Sequence, residues 1–145
     1  MDFTEHLALS AAGSAVLLLA TGSPAAAIAF SVAGVLVDAD HVPDYWRETG
    51  VNFRRQAFLD HFSLNRPRHL VVPLHGWEWP LAVAAAALGL GLPGWLLAAA
   101  AGWLFHLALD QRYNPLGPYS YFFFFRWRVG FDSDAIFQAP GSGPA

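Results

Sequence analysis

Within the stretch "GVLVDADHVPDYW", residues 34 to 46, four side chains of metal-ligand type follow an apolar run: Asp38, Asp40, His41 and Asp44. His6, His75, Glu78, His106 and Asp110 bring further imidazoles and carboxylates, each at the border of another apolar run. The chain has no cysteine, so neither a disulfide framework nor a thiolate site is available. Any ion must be held by nitrogen and oxygen, a ligand set that suits zinc and also manganese or iron. Local spacing favours convergence. His106 and Asp110 stand at i, i+4, and His75 and Glu78 at i, i+3; Asp38 and His41 share a face if the helix runs that far.

The elements that must position these groups are four apolar segments: residues 7 to 22, 24 to 37, 80 to 92 (or from near Leu70) and 93 to 109. Gly-Ser-Pro at 22 to 24 separates the first pair and "GLGLPG" the second, both turn signals. Pro24 and Pro93 suit the first turns of the helices that follow. Each segment is short for a membrane span of roughly 20 residues, and a buried helix of a soluble protein is the ordinary reading of such a run. All four, however, are apolar around their whole circumference. A chain of 145 residues could hardly bury them. Their Ala, Gly and Ser residues would let them pack closely in lipid. The expected fold is therefore all-α: a membrane-embedded bundle of four short helices in two hairpins. Residues 1–137 form the single domain, and 138–145, "QAPGSGPA", a flexible tail.

Composition agrees. Hydrophobic residues make up 55% of the chain and charged ones 13%, against about 25% charged in a soluble domain. Lysine is absent, and eight Arg stand against eleven acids for a net charge of -3, which gives no nucleic-acid surface. The acidic start "MDFTEH" does not read as the basic n-region of a secretory signal. A polar loop, 38 to 69, joins the hairpins. After the fourth helix, "YSYFFFFRWRVGF" reads as an aromatic interfacial segment with Arg126 and Arg128 in it.

In an up-down-up-down bundle, the start of the first helix, end of the second, start of the third and end of the fourth share one side. His6, Asp38, Asp40, His41, His75, Glu78, His106 and Asp110 all gather there. Ionisable groups at membrane depth are costly and usually functional, and a cation offsets the cost. All eight Arg lie on that side too, which makes it cytoplasmic by the positive-inside rule. Taken singly, each signal has a plain structural reading. His106 can pair with Asp110 alone, Asp38 and Asp40 can cap a turn, and Glu78 can face water between Trp77 and Trp79.

In order and kind, these residues resemble the membrane-bound metal-dependent hydrolase family (YdjM-like, LexA-regulated inner-membrane hydrolases). Thr4-Glu5-His6 stands at the family's Thr-His before the first helix. "VDADH", 37 to 41, stands at its Pro-Asp-x-Asp-His element, with Val37 where Pro is usual. "RPRHLVVPLHGWEW", 66 to 79, is similar to its Arg-containing His-Ser stretch, with Gly76 in place of Ser. "HLALD", 106 to 110, matches its His-x-x-x-Asp. Either His69 or His75 can be the third element's counterpart; His75 is preferred, being nearer the third helix and one turn from Glu78. The resemblance implies a divalent metal, zinc in the first place, and hydrolysis. It names no substrate.

The expected site follows. His6, Asp38, His75, His106 and Asp110 bind metal, with His41 close by as a further ligand; these groups exceed one tetrahedral site, so one or two ions are expected. Asp40 or Glu78 is the general base. Arg66 and Arg68 clamp a phosphate. His61 and His69 belong to the Arg-rich loop. The expected activity is hydrolysis of a lipid or lipid-linked phosphoester at the cytoplasmic face of a bacterial inner membrane, in a multi-pass protein whose partners are membrane lipids. The alternative is a non-catalytic small subunit of a larger membrane complex, with a structural or vestigial metal site. A metal carrier would need ligands at mid-bilayer on discontinuous helices, and the one-sided placement argues against it.

Overall fold

The computed structural model describes residues 3–63, 67–114 and 117–137, and their regular secondary structure is helical, the one β pairing there being an isolated bridge between His69 and Asp132. The helices are α1 (Phe3–Thr21), α2 (Pro24–Leu36), α3 (His41–Thr49), α4 (Arg55–Ser63), α5 (Glu78–Gly89), α6 (Gly94–Tyr113), α7 (Phe123–Arg128) and α8 (Ser133–Phe137). The two expected hairpins are α1–α2 and α5–α6. At the first turn, Gly22 adopts φ 64°, open to glycine at no steric cost. Ser23 caps α2 by accepting from the Ala26 N–H at 3.3 Å, and Pro24 occupies the first turn, where no N–H is needed.

The second hairpin helix does not end where its apolar residues end. α2 passes through a 3-10 turn, Val37–Asp40, directly into α3, so Pro24–Thr49 is one continuous helical run. Pro43 explains the tightened turn. Proline has no N–H for the carbonyl of Ala39, and its ring crowds that carbonyl. The chain tightens upstream, where His41 N–H reaches back to the carbonyl of Asp38. The stretch expected as a loop thus contains α3 and α4.

α2 is the central helix, packed against α1 on one side and α6 on the other, and α5 completes the group against α6. Small residues set the spacing. A Cβ on Gly102 would run into the Phe30 backbone carbonyl, and one on Gly34 would come within 3.2 Å of the Gly102 carbonyl oxygen. Serines tie the α1–α2 pair: Ser14 Oγ donates to the Ala27 carbonyl at 2.7 Å, and Ser31 Oγ to that of Ser10 at 3.4 Å. The outer faces stay apolar, with Val16, Leu19, Ile28, Leu36 and Leu88 all more than half exposed.

Among the described residues, one helix, the Pro24–Thr49 run, is long and apolar enough to cross a membrane. α1 and α5 are apolar but shorter, because Gly-Pro turns end them early. α6 reaches 20 residues only by running on into its polar end, "DQRY". Of the expected fold, the all-helical class is found; of its four expected spans, one helix of the described residues is long and apolar enough to cross a membrane.

The segment after α6 folds back onto the loop that precedes α5. Leu70 N–H donates to the Phe131 carbonyl at 2.9 Å and Ser133 N–H to that of Arg68 at 3.1 Å. Leu70, Val72 and Ile136 form a small core there, and Val37, Leu107 and Tyr121 form another. Arg126, expected in an interfacial belt, is 1% exposed instead. The proposed tail, 138–145, lies outside the described residues.

Candidate metal centre

The close α2–α6 crossing sets the first of these side chains. One turn past Gly102, the His106 ring lies against α2, and its Nδ1 donates to the Gly34 carbonyl at 2.7 Å. This fixes the tautomer and leaves Nε2 facing inward. His6, on α1, stacks on His106 at 4.2 Å between ring centroids, and its Nε2 lies 2.8 Å from Asp110 Oδ1. His41 stacks on His75 at 4.7 Å. Four elements therefore bring His6, Asp38, His41, His75, His106 and Asp110 together, all six of the expected metal ligands.

The innermost distances are specific. Asp38 Oδ1 lies 3.4 Å from His106 Nε2 and 3.6 Å from His75 Nε2. Asp110 Oδ2 lies 3.3 Å from His106 Nε2 and 3.4 Å from His75 Nε2. Charge-assisted N–H···O bonds are shorter, about 2.7–2.9 Å. These separations instead match the edge of a tetrahedron, roughly 3.3–3.4 Å when ligands sit about 2.0–2.1 Å from a zinc-sized ion. His75 Nε2 and His106 Nε2 are buried without a hydrogen-bond partner, as are Nδ1 of His6 and of His41. His6, His106 and Asp110 can offer ligand atoms all within 4.8 Å of one another, and so can Asp38, His41 and His75. The buried donor set can hold a metal ion. The set divides into two groups, and Asp38 and Asp110 each approach histidines of both.

His75 arrives by a different route from the others. It was expected at the start of the third helix, on one face with Glu78. α5 begins only at Glu78, and His75 lies in the loop before it. Carboxylates of the Pro24–Thr49 run hold that loop. Asp40 accepts from Leu74 N–H at 2.6 Å and from His75 Nδ1 at 3.0 Å. Asp44 accepts from the N–H groups of Val71 and Val72 at 2.7 and 3.0 Å. From the other side, Arg126 donates to the Val72 carbonyl at 3.1 Å. Val72 is held at φ 28°, a conformation a β-branched residue adopts only when its surroundings impose it.

Electrostatics follow from this packing. Burial alone would lower the His75 pKa, but the carboxylates of Asp110, Asp38 and Asp40 outweigh it and raise it well above 6.5. Burial lowers the Arg126 guanidinium to about 10, although Asp40, Glu78 and Asp44 pull the other way, so it stays charged at neutral pH. Three buried carboxylates, Asp40, Asp44 and Asp110, thus face imidazoles, N–H groups and one buried cation.

The remaining expected residues fall elsewhere. Both Asp40 oxygens are engaged by Leu74 and His75, so this carboxylate orients the His75 ring. Glu78 accepts from Phe123 N–H at 3.1 Å and Phe124 N–H at 3.2 Å, capping the start of α7. Arg68 is exposed, and Arg66 lies outside the described residues. His69 is exposed and engaged through its backbone with Glu48 and Asp132, so His75 is the histidine that joins the cluster. His61 pairs with Glu48 at 3.4 Å. Sequence reasoning gave no site role to Asp44, Gly34 or Arg126. Asp44, one helical turn beyond Asp40 on the same run, carried the only local signal.

Comparison with protein-family models, with curated proteins and with solved structures finds no match for this chain.

Proposed function

We propose that this chain is a membrane-bound, metal-dependent hydrolase acting on a lipid or lipid-linked phosphoester at the cytoplasmic face of a bacterial inner membrane. The observation that carries the reading is the pair of unpartnered nitrogens, His75 Nε2 and His106 Nε2, set at tetrahedral-edge distances from Asp38 and Asp110. A bound divalent ion would supply Lewis acidity and a water of lowered pKa. The chain's own residues do the rest. His6, His106 and Asp110 hold one side of the centre and Asp38, His41 and His75 the other. Asp40 positions His75. Asp38, with its side chain 22% exposed, marks the side from which a substrate enters.

Membrane attachment is supported by the exposed apolar faces of α1, α2 and α5 and by the crossing-length run Pro24–Thr49. The order of the Thr4-Glu5-His6, "VDADH" and "HLALD" motifs, similar to that of membrane-bound metal-dependent hydrolases, supports the reaction class. The test is elemental analysis of detergent-purified protein together with release of phosphate or headgroup from a panel of phospholipids. Loss of metal and turnover in His106→Ala and Asp110→Ala is the expected result. Retention of both in these variants refutes the assignment. Metal in the wild type, lost from the variants, without turnover of any ester would favour the alternative, a non-catalytic membrane subunit with a structural ion.

A further inference from the structure

Beside the centre lies an apolar groove of about 240 Å³ between α2, α5 and α6, lined by residues that include Ala33, Leu36, Val37, Leu74, Val83 and Trp103. No charged side chain lines it. Its outer rim is Leu36, 57% exposed, on the helix face that also exposes Ile28 and Val32. Its inner end is Val37 and Leu74, which pack on one another's core and immediately precede Asp38 and His75 in the chain. The Trp103 indole N–H is taken up by the Leu74 carbonyl at 2.7 Å, so the wall offers that donor to no ligand.

We infer that this groove binds a fatty acyl chain, entering past Leu36, with its polar end directed to Asp38 and His75. Three observations favour this occupant over a second protein segment. The volume is below the roughly 300–1,000 Å³ of pockets for compact ligands, and suits a slender one. The lining makes no polar demand, which a peptide backbone would leave unmet at a cost. The groove opens onto an exposed apolar helix face and ends beside the partly buried group of Asp38, His41 and His75, which matches a molecule with an apolar tail and a polar head. The orientation of the head rests on the proposed hydrolase reading; occupancy of the groove does not.

The experiment uses full-length protein in phosphatidylcholine nanodiscs with a diazirine-bearing stearic acid as photoprobe, followed by peptide mapping and metal analysis. Expected are adducts concentrated on peptides carrying Leu36, Val83 and Trp103, and displaced by excess unlabelled stearic acid. Ala99→Trp, which fills the groove from α6, is expected to weaken this labelling about tenfold, the factor for losing about two methylenes of burial. Val83→Phe fills it from α5 and serves if Ala99→Trp does not fold, as judged by helical circular dichroism. Bound metal is expected to be unchanged in both. Labelling spread evenly over exposed faces such as Leu19 and Leu88, and insensitive to competitor, overturns the inference as annular lipid only. Groove labelling in a protein that turns over no ester keeps the groove and removes the hydrolase reading; turnover without groove labelling does the reverse.

Discussion

His106 on α6 donates its Nδ1 proton to the carbonyl of Gly34 on α2, at 2.7 Å. A helix–helix contact therefore sets which imidazole nitrogen is free. With Nδ1 committed, Nε2 faces Asp38 and Asp110, at 3.4 and 3.3 Å. The bond exists because neither Gly34 nor Gly102 holds the helices apart.

Gly102→Ala is expected to act at that crossing. The new methyl would collide with the Phe30 backbone, which cannot swing aside as a side-chain end could. Overpacking of this kind costs about 1–3 kcal/mol, and it also lengthens the His106–Gly34 bond. Thermal melts with and without added zinc should show both a lower melting temperature and a smaller zinc-induced rise. A normal zinc-induced rise in a destabilised variant would separate the packing from the ligand geometry.

Asp40→Asn distinguishes two roles for this carboxylate. Bound to Leu74 N–H and His75 Nδ1, Asp40 orients the His75 ring. Loss of such an outer partner typically weakens metal affinity 10–100-fold, so competition against a chelator should detect a drop of about that size. Unchanged affinity with lost turnover would return Asp40 to the role of general base.

The ligands should rank by depth. Asp110 lies near three histidines, His6, His75 and His106, whereas His41 approaches its carboxylates only at 3.9 and 4.0 Å. Asp110→Ala should empty the centre, and His41→Ala should leave at least part of the bound metal. Metal-to-protein ratios measured by elemental analysis would reverse that order if the centre lay nearer α3.

Protons and metal compete for His75. Its pKa in the folded, metal-free protein is raised above 6.5. The stabilising contact between its imidazolium and the facing carboxylates is thus full below the unfolded pKa and is lost as pH rises through the folded one. Metal must displace that proton, so apparent affinity should fall about tenfold per pH unit on acidification for one proton exchanged. Melting temperatures at about pH 6 and pH 9 should fall with pH without metal and rise with pH when metal is saturating. Parallel profiles would exclude His75 as a ligand.

The sequence revealed the convergence because its punctuation is local. Ser23-Pro24 and Pro93 begin helices, Gly22 and Gly91 end them, and helix direction then puts His6, Asp38, His106 and Asp110 at one end. The path of residues 70 to 77 was not legible. It depends on Asp40 and Asp44 gripping N–H groups about thirty positions away, and backbone donors leave no mark in a sequence. Arg126 was misplaced for the same reason. Among Phe and Trp it has the composition of an interfacial residue, and only the carbonyl of Val72 and the nearby carboxylates make its burial tolerable.

The 3-10 turn at Val37–Asp40 has a mechanical consequence. Each residue there advances about 120° instead of about 100° around the axis, so four residues add roughly 80° of rotation to everything beyond. Asp38, inside the turn, faces the imidazoles of His75 and His106, and the residues that follow carry the added rotation: His41 stacks on His75 while Asp40 and Asp44 point at the loop carrying it. A single rod thus works like a camshaft with two lobes, and any untwisting of this turn would shift the carboxylate facing the imidazoles and the carboxylates gripping the loop in the same stroke.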